Sequence, residues 1–344
     1  MEDYHTPYPV KGSFPPIDES NIGKLQVVLQ DDEIKAAIFS MHPFKAPGVD
    51  GLHAVFYQSQ WDTVGESVCN LVRQCFHSNN IPTEINRTLI VLIPKVDQPI
   101  NIRMYRPISL CPIIYKTITK IVANRLKAIL SNLIGPTQTS FVPGRHITEN
   151  IVVAQEIIHS MRRKKGKRGQ MLIKVDLEKA YDRLSRDFIH ETLREAGIPS
   201  ELIHLIMNCI SSVTMQVLWN GECTDYFSTS RGIRQGDPIT PYVFVLCIER
   251  LSHGINRAVQ SGKWTPIRLS RRGTPITHLF FADDLLLLAE ASCEQAHMIQ
   301  EVLNTFCASS GEKVNNTKTQ VFFSKNVRPP EIKGISLYFV ENEL

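Results

Sequence analysis

The stretch from His278 to Leu288, "HLFFADDLLLL", sets Asp283 and Asp284 side by side in an otherwise apolar run. Adjacent like charges repel, and an apolar surround makes each costlier to ionise unless a cation stands between them. A solvated turn is the ordinary setting for an Asp-Asp pair. Here apolar residues crowd both flanks, so the two segments read as buried strands of a hairpin with the acidic pair at its tip. Hard carboxylate oxygens suit Mg²⁺. A third carboxylate, Asp176, closes the apolar run "MLIKVDL". Two metal ions about 3.5–4 Å apart, held by carboxylates from separate elements, can activate an attacking hydroxyl and steady a leaving pyrophosphate. Asp176, Asp283 and Asp284 make such a set if the intervening chain folds their two strands side by side.

The elements that must do this positioning can be read from periodicity. "TLIVLIPK" (Thr88 to Lys95) is a β-branched strand. Ile114, Ile118, Ile121, Val122, Leu126, Ile129, Leu130 and Leu133 recur at helical spacing, and Gly135-Pro136 supplies the stop. After Asp176 comes a helix with Ala180, Leu184, Phe188, Ile189 and Leu193 on one side, ending at Gly197. A further helix runs from Ser200 to about Ser212, and Asn220-Gly221 closes a hairpin whose turn needs positive φ at both central positions. "RGIRQGDPITPY" is a shaped loop before another helix. This order indicates an α+β architecture, with helices on one face of an antiparallel sheet. Residues 1–30, rich in Pro and polar residues, read as an extended leader with little structure of its own.

Composition narrows the class. A chain of 344 residues, 43% hydrophobic and 21% charged, buries a substantial core. The excess of 38 basic over 34 acidic residues is small, so net charge alone does not demonstrate a nucleic-acid partner. Local charge is stronger: Arg162, Arg163, Lys164, Lys165, Lys167 and Arg168 crowd one short run before the strand that ends in Asp176. That run is either a solvated loop or a contact to nucleic-acid phosphates. The eight cysteines form no C-x-x-C pair and favour reduced core thiols, hence an intracellular setting. No signal pattern or bilayer-length apolar stretch is present, which argues against secretion and membrane insertion.

In order along the chain stand "KAPGVDG", "LIVLIPK", "YRPISL", "FVPGR", "VDLEKAYD", "SRGIRQGDPITPY", "HLFFADD" and "SGEKVNNTKTQVFFSKN". This succession resembles the reverse transcriptase domain of non-LTR (LINE-type) retrotransposons, most of all those abundant in plant genomes, over residues 31–326. The resemblance implies an RNA-directed DNA polymerase that takes an RNA template, a DNA primer and deoxynucleoside triphosphates and works with two Mg²⁺ ions, Mn²⁺ being a substitute. It implies right-hand polymerase architecture, with a fingers-like region at 31–170, a palm at 171–326 whose antiparallel sheet is covered by helices, and nuclear localisation. By it, Asp176 and Asp283 are the metal ligands and Asp284 their less direct companion. Tyr181 matches the bulky residue that crowds the sugar 2′ position. Arg234, Gln235 and Gly236 match the loop against nucleotide and template, Gly permitting close backbone approach. Lys95 and Arg106 match finger residues that meet the triphosphate. Lys318, with Lys313 nearby, matches a proton donor to pyrophosphate.

There are departures from the family's pattern. Ser185 and Arg186 stand where an acidic residue and Trp are usual, Val49 where Pro is usual, and Leu285 where Ser is usual. The family continues past the position of Leu344 into primer-grip and thumb segments, so a missing thumb, a truncated tail at 327–344 and a relic that only binds nucleic acid enter as expectations. A metal-dependent nuclease needs clustered carboxylates but has no use for "RQGDP", and an RNA-directed RNA polymerase would not crowd the 2′-hydroxyl.

Overall fold

The computed structural model describes residues 6–270 and 272–339. In chain order the elements are α1 (Glu19–Gln26), α2 (Asp31–Phe39), α3 (Ala54–Ser59), α4 (Trp61–Ser78), β1 (Arg87–Pro94), β2 (Tyr105–Leu110), α5 (Ile113–Leu133) and α6 (Ile147–Arg163). Then come β3 (Gln170–Val175), α7 (Ala180–Arg183), α8 (Arg186–Glu195), α9 (Ser200–Ser211), β4 (Thr214–Trp219) and β5 (Glu222–Cys223). The last are α10 (Thr240–Gln260), β6 (His278–Phe281), β7 (Asp284–Glu290), α11 (Cys293–Ser310), β8 (Gln320–Phe323) and α12 (Pro329–Ser336). Among the described residues no helix is long and apolar enough to cross a membrane.

The chain divides into two compact units. One takes the described residues of Met1–Pro15, Leu130–Glu195 and Phe244–Leu344, the other Pro16–Ile129 and Ala196–Val243. The first unit holds a sheet of order β6-β7-β3-β8 with every pairing antiparallel. Its central strands bury residues on both faces: Met171, Leu172, Ile173 and Val175 on β3, and Leu285, Leu287, Leu288 and Ala289 on β7. Such near-continuous apolar runs are what a strand covered on both sides requires. Ile157 and Met161 of α6 pack with Leu172, Leu279 and Leu288 on one of those faces.

The second unit holds a sheet of order β2-β1-β4-β5, in which β1 runs antiparallel to β2 but parallel to β4. The fold is therefore α+β as expected, with a second, mixed sheet that strand periodicity does not announce. Parallel pairing needs a crossover of a dozen or more residues, and the chain from Pro94 to Thr214 supplies it. The stripe predicted for α5 is buried at each of its eight positions. Asn220 and Gly221 adopt φ of 51° and 87°, as the hairpin turn requires.

Two expectations need correction. The leader is not simply extended: α1 lies within it, capped by the Asp18 side chain, which accepts from Asn21 N. Tyr8, 1% exposed, meets Phe188 and Phe306 edge-on at 5.9 and 6.3 Å, and Arg250 donates to the Val10 carbonyl. Aromatic burial thus outweighs the Pro-rich composition. The single helix expected after Asp176 is two, interrupted at Leu184, whose ψ of 124° leaves the helical range. Ser185 N instead donates to Ser310 O at 2.7 Å. Gly311, at φ +79°, closes α11 so tightly against α7 that a Cβ there would lie 2.8 Å from Arg183 O.

Candidate active site

Antiparallel pairing of β3 with β7 runs from Gln170↔Glu290 to Val175↔Leu285. Asp176 therefore leaves β3 beside the start of β7, where Asp284 stands, and Asp283 occupies the turn that joins β6 to β7. Phe281 pairs with Asp284 across that turn, leaving Ala282 and Asp283 as its two central residues. Ala282 takes φ +52°, a conformation that L residues enter at a cost and that surrounding structure must enforce. Gln138 contributes to that enforcement, its Oε1 accepting from Ala282 N at 3.2 Å and Ser140 N at 2.9 Å. The outer edge of β6 is capped as well: Phe280 N donates to Thr137 O, Thr139 N to Phe280 O, and Asn150 Nδ2 to both carbonyls. Arg145 of "FVPGR" donates to the carbonyls of Ile134, Gly135 and Gln138, tying down the segment that follows α5.

Asp283 and Asp284 are exposed at the tip and Asp176 is half-buried. The Asp283 carboxyl is pushed up by the loss of surrounding water and by the charges of Asp284 and Asp176, which outweigh a backbone N–H bond that lowers it. Among the described residues no basic side chain forms an ion pair with any of the three. Asp176 is instead tied to the loop before β8: Asn315 N donates to its carbonyl at 2.8 Å and Asn315 Nδ2 to its Oδ2 at 3.1 Å.

Three further groups belong to this neighbourhood. Tyr181 stacks on Phe244 with centroids 4.5 Å apart, and its hydroxyl is pushed up to about 12 by burial and by Asp283. Glu312, 3% exposed, has neither carboxyl oxygen hydrogen-bonded within the described residues. Burial pushes it to about 8, with Arg183 lowering it and Asp283 raising it. Of the two nearby lysines, Lys313 pairs with Glu178 at 3.4 Å, whereas Lys318 is exposed and without an ion-pair partner among the described residues. Asn315, Gln138 and Glu312 were not singled out from sequence. The first and last sit inside the "SGEKVNNTKTQVFFSKN" block, which was the available signal.

Of the other predicted residues, Lys95, Arg106, Arg234, Gln235 and Gly236 belong to the second unit and the basic run to the first. Lys95 and Arg106 are exposed on the paired strands β1 and β2: Arg106 lies opposite Ile93, and Lys95 follows the last paired residue of β1, with its Nζ on Arg103 O. Gln235 O accepts from Ser109 N at 2.9 Å. Gly236, at φ +104°, approaches Ser109 O so closely that a Cβ would stand 3.1 Å from it. The close approach that glycine allows here is thus to β2. Arg234 does not face outward. Its guanidinium donates to Asn86 Oδ1, Thr88 Oγ1, Tyr115 OH and Cys209 O, and lies 3.4 Å from Asp237. Tyr115 OH in turn donates to Asp237 Oδ2 at 2.7 Å. The basic run is exposed apart from the half-buried Lys164, and its backbone is fastened by Asn326 Nδ2 to Gly166 O and Arg168 O.

Among the described residues no group of three His, Cys, Asp or Glu side chains is near enough to hold one ion unaided. Mg²⁺ in nucleotide-handling sites is bound by one or two carboxylates together with substrate phosphates, keeping several waters. The convergent, uncompensated carboxylates suit a cation of that kind.

Convergent carboxylates on an antiparallel hairpin and its neighbouring strand are the kind of arrangement that metal-assisted phosphoryl transfer uses. Residues 93–335 match the family described as reverse transcriptase (RNA-dependent DNA polymerase). The chain belongs to that family: it is a reverse transcriptase domain of the kind found in the Pol proteins of non-LTR retrotransposons. It is 28% identical over 330 residues to the transposon TX1 uncharacterized 149 kDa protein of Xenopus laevis, covering 94% of this chain and 24% of that protein. Over 301 residues it is 25% identical to the Pol polyprotein from the type-2 retrotransposable element R2DM of Drosophila melanogaster, covering 87% of this chain and 27% of that one. A Pol polyprotein from the type-1 retrotransposable element R2 of Popillia japonica is 27% identical over 282 residues, 80% of this chain and 37% of that one. The chain thus spans between about a quarter and two-fifths of the length of these relatives.

Proposed function

We propose that this domain extends a DNA primer on an RNA template by two-metal phosphoryl transfer, with Asp176 and Asp283 as metal ligands and Asp284 in a lesser role. The carrying observation is the β3–β7 register, which brings the three carboxylates to one end of one sheet, none of them in an ion pair among the described residues. Two Mg²⁺ ions, replaceable by Mn²⁺, would be held there; bound, they supply an activated primer hydroxyl and charge for the departing pyrophosphate. The chain's own residues do the rest. Tyr181, supported by Phe244 and close enough to Asp283 to feel its charge, crowds the sugar 2′ position. Lys95 and Arg106 offer cationic donors to the triphosphate. Gln235 and Gly236 present a turn to the nucleotide, and Lys318, uncommitted where Lys313 is paired, gives a proton to the pyrophosphate. Arg162, Arg163, Lys164, Lys165, Lys167 and Arg168 meet backbone phosphates. In this reading residues 31–170 serve as fingers and 171–326 as palm, acting in the nucleus, where a DNA primer is at hand.

The test is primer extension by the 344-residue chain on an RNA template with Mg²⁺ or Mn²⁺, and an absence of extension with both ions overturns the reading. Tyr181→Ala sharpens it. Removing the ring relieves a clash that discriminates between sugars, so ribonucleotide use relative to deoxynucleotide use rises by ~10- to 100-fold, on the order of 1.4–2.8 kcal/mol. An unchanged ratio in an active Tyr181→Ala enzyme makes Tyr181 a packing aromatic.

A further inference from the structure

We infer that Asn315, oriented by Thr317, is a positioning residue that aims the Asp176 carboxylate at the metal. The inference rests on the reading of Asp176 as a metal ligand. A carboxylate turns easily about its last torsion, whose wells are broad, so a ligating Asp left to itself samples many directions. Asp176 is not left to itself. The short loop between α11 and β8 holds it at three points: Asn315 N on its carbonyl at 2.8 Å, Thr319 Oγ1 accepting from its N at 3.4 Å, and Asn315 Nδ2 on its Oδ2 at 3.1 Å. The other carboxylate oxygen, Oδ1, has no hydrogen bond within the described residues and is the one free to ligate.

The amide itself is oriented. Thr317 Oγ1 donates to Asn315 Oδ1 at 2.7 Å, which turns the NH₂ end of the amide toward Asp176. Lys318 N and Thr319 N both donate to Asn315 O, at 3.1 and 2.9 Å, so the backbone beneath the amide is fixed as well. A neutral amide is the suitable donor. It fixes the carboxylate plane while leaving the negative charge uncompensated for a cation, which a lysine or arginine in its place would neutralise. Partners that orient a ligand from behind in this way commonly change metal affinity or activity 10- to 100-fold when removed.

Thr317 makes the inference testable without disturbing the core, because its side chain is exposed. The measurement is Mn²⁺ binding to the full chain, followed by electron paramagnetic resonance, with primer extension kinetics beside it and circular dichroism to check the fold. Asn315→Ala is expected to weaken Mn²⁺ binding about 10-fold and to lower kcat while leaving KM for the deoxynucleotide in place. Thr317→Val, which keeps the shape and loses the hydroxyl, is expected to weaken it severalfold. Thr317→Ser, which restores the hydroxyl, is expected to match wild type. If Asp176→Asn loses Mn²⁺ while Asn315→Ala and Thr317→Val bind it as wild type does, the inference is overturned and the ligand assignment stands. Equal weakening by Thr317→Val and Thr317→Ser also overturns it, since the hydroxyl is then not the orienting group. If Asp176→Asn binds Mn²⁺ unchanged, the ligand assignment itself falls and the inference goes with it.

Discussion

The Arg234 cluster of the second unit and the carboxylates of the first treat charge in opposite ways. Arg234 is 6% exposed and Asp237 3%, yet the guanidinium meets four hydrogen-bond acceptors besides its ion-pair partner, and Tyr115 bridges the two. Nothing there is left for a ligand. At Asp176, Asp283 and Asp284 like charges gather with no ion-pair partner among the described residues, and neither carboxyl oxygen of a buried neighbour, Glu312, is hydrogen-bonded. A saturated buried network specifies one conformation of the turn above it, whereas an uncompensated cluster is a standing demand for cations. Charged residues are therefore saturated within one unit and, in the proposed reading, left open for chemistry in the other.

Removing a charge from each place should separate these roles. The largest effect is expected from Asp283→Asn, which keeps the side-chain volume and deletes an anionic ligand: primer extension falls by more than ~1000-fold, about 4 kcal/mol of barrier. The melting temperature stays level or rises, since a mutually repelling charge has gone. A variant that extends primers near the wild-type rate would show that the cluster is not the metal site. Next in size is Arg234→Met, measured by denaturant unfolding. It strands Asp237 among buried groups, and breaking such a pair from one side costs about 3–5 kcal/mol; loss of activity without loss of stability would place Arg234 at the substrate instead.

Glu312→Leu probes the boundary between the two kinds of site. Its folded carboxyl titrates at about 8 against an ordinary value of 4.5. Between those values the folded state holds a proton that the unfolded state has released, so this group's contribution to stability falls as pH rises through that window. Replacing it with Leu should therefore stabilise the protein at pH 8, by on the order of 2 kcal/mol, and do little at pH 4. A gain that is the same at both pH values would mean that the carboxyl is solvated. The smallest effect concerns the basic loop: neutralising Lys165, Lys167 and Arg168 should lower the slope of log K against log salt for RNA by about 2. An unchanged slope would make the run a solvated loop.

Much of this was legible in the residues. The apolar flanks of Asp283-Asp284 announced a hairpin, the helical stripe announced α5, and Asn220-Gly221 announced a turn with positive φ. All three are local patterns. What escaped is non-local or hidden by composition. Asn315 lies 139 positions from Asp176, and a single polar residue with one distant partner leaves no periodicity. Arg234 sits among turn formers, so its position reads as an exposed loop, and only the arrangement of Asn86, Thr88, Tyr115 and Cys209 turns it inward. The parallel pairing of β1 with β4 depends on which edges meet after the helices fold, a choice that strand propensity does not contain.

Tyr8 has a practical consequence for anyone drawing the borders of this domain. The family match begins at residue 93 and the ordered sequence blocks at residue 45, so borders taken from either would discard the segment that carries Tyr8. That segment works as a cork. Without it the edges of Phe188 and Phe306 would open to water, Arg250 would lose the Val10 carbonyl, and the resulting apolar patch would make the shortened protein sticky long before it affected the chemistry.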